Sequence, residues 1–298
     1  MGGVEPIRHL TPEDADYPEQ LRGIVRPPLH VSVRGSVRLD GARAVAIVGT
    51  REAHKEAAEF ATHLAFVLAR SGVVIVSGGA VGIDAAAHEG AMKAGGRTWA
   101  VAGTGSDHVF PKQHARLYDD IAESGGAMVW PFAPAQKARN AFLARNGVLV
   151  ALSDVVVVAQ AGIPSGALNA AKWAGVYKKP LWVVPSPPWT DGFAGSAHLI
   201  NRGASVLTSV ARFLEVALER ETPGAQAVEL PRQTTLRLDL GEDAIALQKA
   251  TSSAPKHQDE LAAFAGLSAK AAATALLTLA LENVVVEGPG GFFRRAGP

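Results

Sequence analysis

From Ala44 to Leu207 the chain alternates short apolar β-branched runs with small-residue turns and Ala-rich amphipathic stretches. The strand candidates are Ala44–Gly49, Val73–Ser77, Thr98–Ala102, Ala127–Trp130, Val155–Ala159, Leu181–Pro185 and Ala204–Leu207. Most are apolar at every position rather than at every second one, as suits strands covered on both faces, and the stretches between them suit strand-crossover-strand units. The clearest crossover puts Phe60, Leu64, Val67 and Leu68 on one helical stripe and stops at Ser71-Gly72. The pattern predicts a doubly wound α/β domain with a mostly parallel sheet, entered through an amino-terminal extension over residues 1–43.

Over residues 220–241 the periodicity lapses into a segment with two prolines, which reads as a linker. From Glu242 the order changes to helices over Asp243–Thr251, Gln258–Ala265 and Ala269–Glu282, with Ser268 as a cap. A hairpin follows, with strands Val284–Glu287 and Phe292–Arg295 around the turn Gly288-Pro289-Gly290-Gly291. Three helices and a hairpin predict a small winged-helix-like domain over residues 242–298.

Composition narrows the function classes. With 298 residues, 48% of them hydrophobic and 19% charged, the chain has material for a large core. Lys and Arg number 29 against 28 Asp and Glu, so any attraction for a polyanion must be local. The absence of cysteine removes disulfides, thiolate metal sites and a cysteine nucleophile, and fits a reducing compartment. The longest apolar stretch, Val148 to Ile163, is interrupted by Ser153, Asp154 and Gln160, and the amino terminus lacks a leader pattern, so a cytoplasmic protein without a membrane partner is expected.

Four glycine-bearing turns follow strand candidates: Gly49-Thr50-Arg51, Ser77-Gly78-Gly79-Ala80-Val81-Gly82, Gly103-Thr104-Gly105-Ser106 and Ser165-Gly166. In an open parallel sheet all four leave the carboxyl edge, where ligands bind. Glycine lets the backbone approach an anion, and each following helix offers unpaired N–H groups at the positive end of its dipole. One such turn is explained by tight chain reversal alone; four together favour an anion site. Gly103-Thr104-Gly105 lacks the third glycine of a dinucleotide fingerprint and no Gly-Lys-Ser or Gly-Lys-Thr occurs, so neither a nicotinamide cofactor nor a Walker-type ATPase is expected, and no cofactor is assigned.

Val48-Gly49-Thr50-Arg51, Ser77 through Asp84, Ala87-His88-Glu89-Gly90-Ala91, Asp107-His108-Val109-Phe110-Pro111 and Arg145-Asn146 together resemble the DNA-processing protein A (DprA/Smf) family in order and spacing. The likeness starts near Tyr17-Pro18, runs through Ser165-Gly166-Ala167-Leu168 and Leu199 to Ala204, and reaches the tail. It implies an extended Rossmann-like domain over residues 44–219 that binds single-stranded DNA, dimerises and loads the RecA recombinase onto incoming DNA in natural transformation, without catalysis. The helical amino-terminal domain of many relatives is not expected here. The chain departs from the family at His114, Gly147, Ala170, Ser186 and Ala197, where asparagine, arginine, threonine, glycine and asparagine are usual. These changes bear on DNA binding, because such Arg and Asn side chains contact phosphates or brace loops.

Arg51 matches the family's phosphate-binding arginine, and a guanidinium there can grip phosphate in a bidentate manner. Lys112 and Arg116, with Lys137, Arg139 and Arg145, either extend a basic track or form a solvated face. Asp84 and His88, four apart, read as supports of the glycine loop rather than as an acid-base pair. Phe110, Trp130 and Phe132 either stack on bases or pack in the core. The histidines show no ligand spacing, so no metal is assigned. In the tail, Lys270 is the only long donor on the third helix, and residues 241–298 hold five basic and six acidic residues, which disfavours a sequence-specific DNA reader.

Two rivals stand beside single-strand binding. One is a phosphoribohydrolase-like nucleotide enzyme, disfavoured because its Pro-Gly-Gly-x-Gly-Thr and following glutamate are missing at Ala161 to Ala167. The other is a divergent paralogue that keeps the scaffold as a ligand sensor.

Overall fold

The computed structural model describes residues 6–24, 27–137, 141–218, 241–281, 284–288 and 292–295. The chain divides into two compact units, residues 1–221 and 222–298. The first contains, in chain order, β1 (Arg8–Leu10), α1 (Glu19–Arg22), β2 (Val31–Gly35), β3 (Ala44–Gly49), α2 (Lys55–Arg70), β4 (Val74–Ser77), α3 (Ile83–Lys93), β5 (Thr98–Val101), a 3-10 turn (Lys112–His114), α4 (Ala115–Glu123), β6 (Ala127–Trp130) and α5 (Ala141–Ala151). It continues with β7 (Val155–Gln160), α6 (Gly166–Val176), β8 (Leu181–Val183), α7 (Ala194–Asn201), β9 (Ser205–Val206) and α8 (Val210–Leu218).

Its strands form one sheet in the order β1-β2-β6-β5-β4-β3-β7-β8-β9. From β6 to β9 every pairing is parallel, so the fold is the expected Rossmann-like α/β sheet. The pleat explains the unbroken apolar runs. Ala44, Ala46 and Val48 pack into one cluster with α5 and α6, while Val45 and Ile47 pack into another with α2 and α3. Each buried Val or Ile contributes about 1.5–3 kcal/mol by leaving water. On α2 the buried stripe is Ala57, Ala61, Leu64, Ala65, Leu68 and Ala69, with Phe60 partly buried at its rim.

Residues 1–43 are not merely an approach to the sheet. Within them β1 and β2 add two antiparallel strands to its edge, with Val33 opposite Val129 of β6. β1 is only three residues long, and β2 alternates apolar and polar positions only over Val31-Ser32-Val33-Arg34, too short a run to stand out in the sequence.

The chain runs β3-β4-β5-β6 to one side, then crosses back to place β7 on the other side of β3. This reversal separates the loops after β3 and β7 and opens a crevice at their carboxyl ends, where open α/β sheets hold ligands.

The second unit contains α9 (Glu242–Ala250), β10 (Lys256–His257), α10 (Gln258–Ala265), α11 (Ala269–Leu281), β11 (Val285–Gly288) and β12 (Phe292–Arg295). Leu247, Leu261, Leu276, Leu279, Val285 and Phe293 form its core. The strand β10 was not expected; it pairs with β12 to complete a three-stranded sheet in the order β10-β12-β11. The predicted linker lies outside the described residues except for Gly241, as does most of the predicted turn between β11 and β12.

Candidate nucleic-acid interface

At the crevice between β3 and β7 lies a cleft of 420 Å³, lined by the β3 loop from Val48 to Glu52, by Ala80 and Asp84, by α5, and by Pro164 to Ala170 of the β7 loop and α6. The volume is within the range of about 300–1,000 Å³ usual for small-ligand sites. Of the predicted residues, Gly49, Thr50, Arg51, Ser165, Gly166, Arg145, Asn146 and Asp84 meet here.

The β3 loop is held from behind and open in front. Thr50 donates its N–H to the Gln160 carbonyl at 2.9 Å and accepts from Ile83 N–H at 3.2 Å, which ties the loop to β7 and to the start of α3. Gly82, the residue before α3, has φ +82°, and any side chain there would collide with the Thr50 carbonyl. Arg51 remains exposed, its guanidinium carbon 5.0 Å from the centre of the Phe142 ring. Among the described cleft residues it is the one exposed guanidinium, with Glu52 exposed beside it. On the other wall Ser165 caps α6, its Oγ accepting from Ala167 N–H at 3.2 Å, and Gly166 opens the helix. A phosphate between Arg51 and this helix start meets one guanidinium and the positive end of a dipole.

The β4 loop differs from expectation. Ser77, Gly78 and Gly79 are buried, so they present no cradle to a phosphate. Ser77 Oγ donates to the Ile47 carbonyl at 2.6 Å. Arg145 is 5% exposed and donates through one terminal nitrogen to the carbonyls of Gly78 and Val101. It is therefore a brace and not a surface cation. The Gly79 carbonyl accepts from His114 Nδ1 at 2.9 Å and from the Tyr118 hydroxyl at 3.2 Å. His114, one of the departures from the family pattern, thus makes a loop-bracing contact. Asn146 is likewise turned inward, donating to the Gly166 carbonyl at 3.0 Å and to Asn169 at 3.2 Å, so it braces the fourth loop.

Burial raises the Asp84 pKa, with the Arg145 charge acting against it, and the same burial lowers that of Arg145. His88 ties α3 to the strands and does not touch the glycine loop. Thr98 Oγ1 donates to the Ile75 carbonyl at 2.9 Å, which leaves its lone pairs to accept from His88 Nδ1 at 2.7 Å. His88 Nε2 is then unprotonated and buried without a partner, and burial holds the ring's pKa down at about 3.

The third turn stands behind the cleft. Gly103 packs against the Phe142 ring and Gly105 against the carbonyls of Ala133 and Pro134, so their glycines serve internal packing. Lys112 is exposed in the 3-10 turn and does not line the cleft; Arg116 pairs with Asp120 at 3.8 Å. Arg139 lies outside the described residues. Trp130 is buried in the core beside Tyr118 and Met128, whereas Phe110 is 42% exposed and meets Phe142 at 5.4 Å. Phe142, Leu143 and Glu52 were not singled out from the sequence. Phe142 and Leu143 precede Arg145 by three and two positions, within reach of the motif already noted. Of the departures, Ala170 lies on the cleft wall, and a side chain at Gly147 would press on the Trp173 ring.

Among the described residues no helix is long and apolar enough to cross a membrane. None of their His, Asp and Glu side chains form a group of three or more able to hold a metal ion.

A family model described as DNA recombination-mediator protein A matches residues 8–217. Protein Smf of Synechocystis is 37% identical over 67% of this chain and 51% of its own length. The chain covers 61% of the Mycobacterium tuberculosis relative called putative DNA processing protein DprA, so it spans between half and two thirds of these relatives. A crystal structure of DNA processing protein A from Streptococcus pneumoniae superposes with TM-score 0.65 at 32% identity, covering 73% of this chain and 76% of that one. A structure of the Helicobacter pylori DNA processing protein A, described for its single-stranded DNA binding mode, gives TM-score 0.64 at 30% identity, covering 71% of this chain and 95% of that one.

Proposed function

Because the chain belongs to the DNA recombination-mediator protein A family, we propose that it binds single-stranded DNA through the cleft between β3 and β7 and acts there as a mediator rather than a catalyst. The observation that carries this reading is the meeting of exposed Arg51 with the capped start of α6 at the point where strand order reverses. The single-strand binding described for the Helicobacter pylori protein supports the choice of ligand.

With one exposed guanidinium among its described residues and room for about one nucleotide, the cleft holds one phosphate of the strand, and Phe142 beside it offers a ring to the adjoining base. Loading of RecA onto incoming DNA during natural transformation, a homodimer and a cytoplasmic site follow from family membership as parts of the same proposal. The three helices and three-stranded sheet of the second unit support a winged-helix reading for it.

Fluorescence anisotropy with an oligothymidylate at rising salt tests the reading. Binding that weakens with salt, and weakens further in Arg51→Ala, is expected. A mononucleotide bound more tightly than the oligomer would instead assign the cleft to a small ligand.

A further inference from the structure

In the second unit, β12 runs between β10 and β11, with Phe292 opposite His257 on one side and Gly288 on the other, and Arg294 opposite Val286. Residues directly opposite share a face, and neighbours along a strand take opposite faces. Val285 and Phe293 therefore enter the core, while His257, Phe292, Val286 and Arg294 form a row on the outer side. That row is open to water: Phe292 is 43% and Val286 41% exposed, and Arg294 is exposed. The His257 and Phe292 rings meet edge to face at 5.3 Å. On its other side Phe292 is paired in register with Gly288, which carries no side chain.

We propose that this outer sheet face is a stacking platform for single-stranded DNA, with a base on Phe292 and the adjoining phosphate on Arg294. The charge pattern selects this occupant. None of His257, Phe292, Val286 and Arg294 is acidic, and the acidic neighbour of His257 is Asp259, at the start of α10. An apolar protein surface laid over Phe292 would strip water from Arg294 without compensation, whereas a strand supplies a phosphate for the guanidinium and a π-face for the ring. The inference rests on the single-strand reading above and extends it, because a cleft sized for about one nucleotide leaves the rest of a strand to be held elsewhere.

The test uses the full chain with an oligothymidylate carrying 5-iodouracil, read by anisotropy and by photo-cross-linking. Phe292→Ala is expected to weaken binding at least about fivefold, Phe292→Tyr to keep it, and cross-links to fall on residues 292–295. An unchanged affinity in Phe292→Ala, a tyrosine variant as weak as the alanine one, or no cross-link in the hairpin would overturn the proposal. If Arg51→Ala alone weakens binding, this face fails and the cleft stands; if Phe292→Ala alone does so, the cleft fails and this face stands. No binding by the unaltered chain overturns both.

Discussion

The turns after β3 and β4 leave neighbouring strands at the same sheet edge, and both are glycine turns after an apolar run, yet they do opposite things. The first leaves Arg51 exposed at the cleft. The second is filled from within: Arg145 takes the Gly78 carbonyl, and His114 and Tyr118 take that of Gly79. Glycine admits whatever approaches the backbone, and the packing decides whether that is a ligand or a side chain of the same protein.

The largest break of this contrast should come from Arg145→Ala. Two carbonyls lose their donor and buried Asp84 loses its compensating charge, so destabilisation of about 3–5 kcal/mol is expected in chemical denaturation. Arg51→Ala should do the reverse, with stability changed by no more than about 0.5 kcal/mol and single-strand affinity lowered about 10- to 150-fold by titration.

Acid probes the buried packing of α3 on β5 more gently. His88 has a pKa of about 3 when folded and an ordinary value of 6.5, so between these values the unfolded chain binds the extra proton and stability falls as pH is lowered. The loss attributable to His88 from pH 7 to pH 5 should be about 2 kcal/mol, and His88→Gln should flatten that part of the slope in thermal melts. The smallest effect is assigned to Ser165→Ala, which removes the α6 cap for about 1 kcal/mol of stability by the same melts.

Much of the sheet was legible because parallel strands covered on both faces are apolar throughout. The bounds of β3 and β6 agree with the sequence reading, and β7 extends it only by Gln160. The edge strands β1 and β2 were hidden because their pairing depends on β6, which is distant in sequence. The candidate site was legible as a set of turns but not as a surface. Arg145 reads from sequence like any exposed cation, and its burial depends on carbonyls of the β4 loop and of β5 that only the packed sheet brings under it. Gly103 and Gly105 look like the other glycines, and the Phe142 ring and residues 133–134 that fill the space beside them come from further along the chain.

By itself the sequence determined the α/β class, the positions of the main crossovers, and which residues could stand at the carboxyl edge, since hydrophobic period and turn chemistry are local properties. Tertiary structure alone decided which turns open to a ligand. That choice depends on distant side chains competing with solvent and ligand for the same backbone groups.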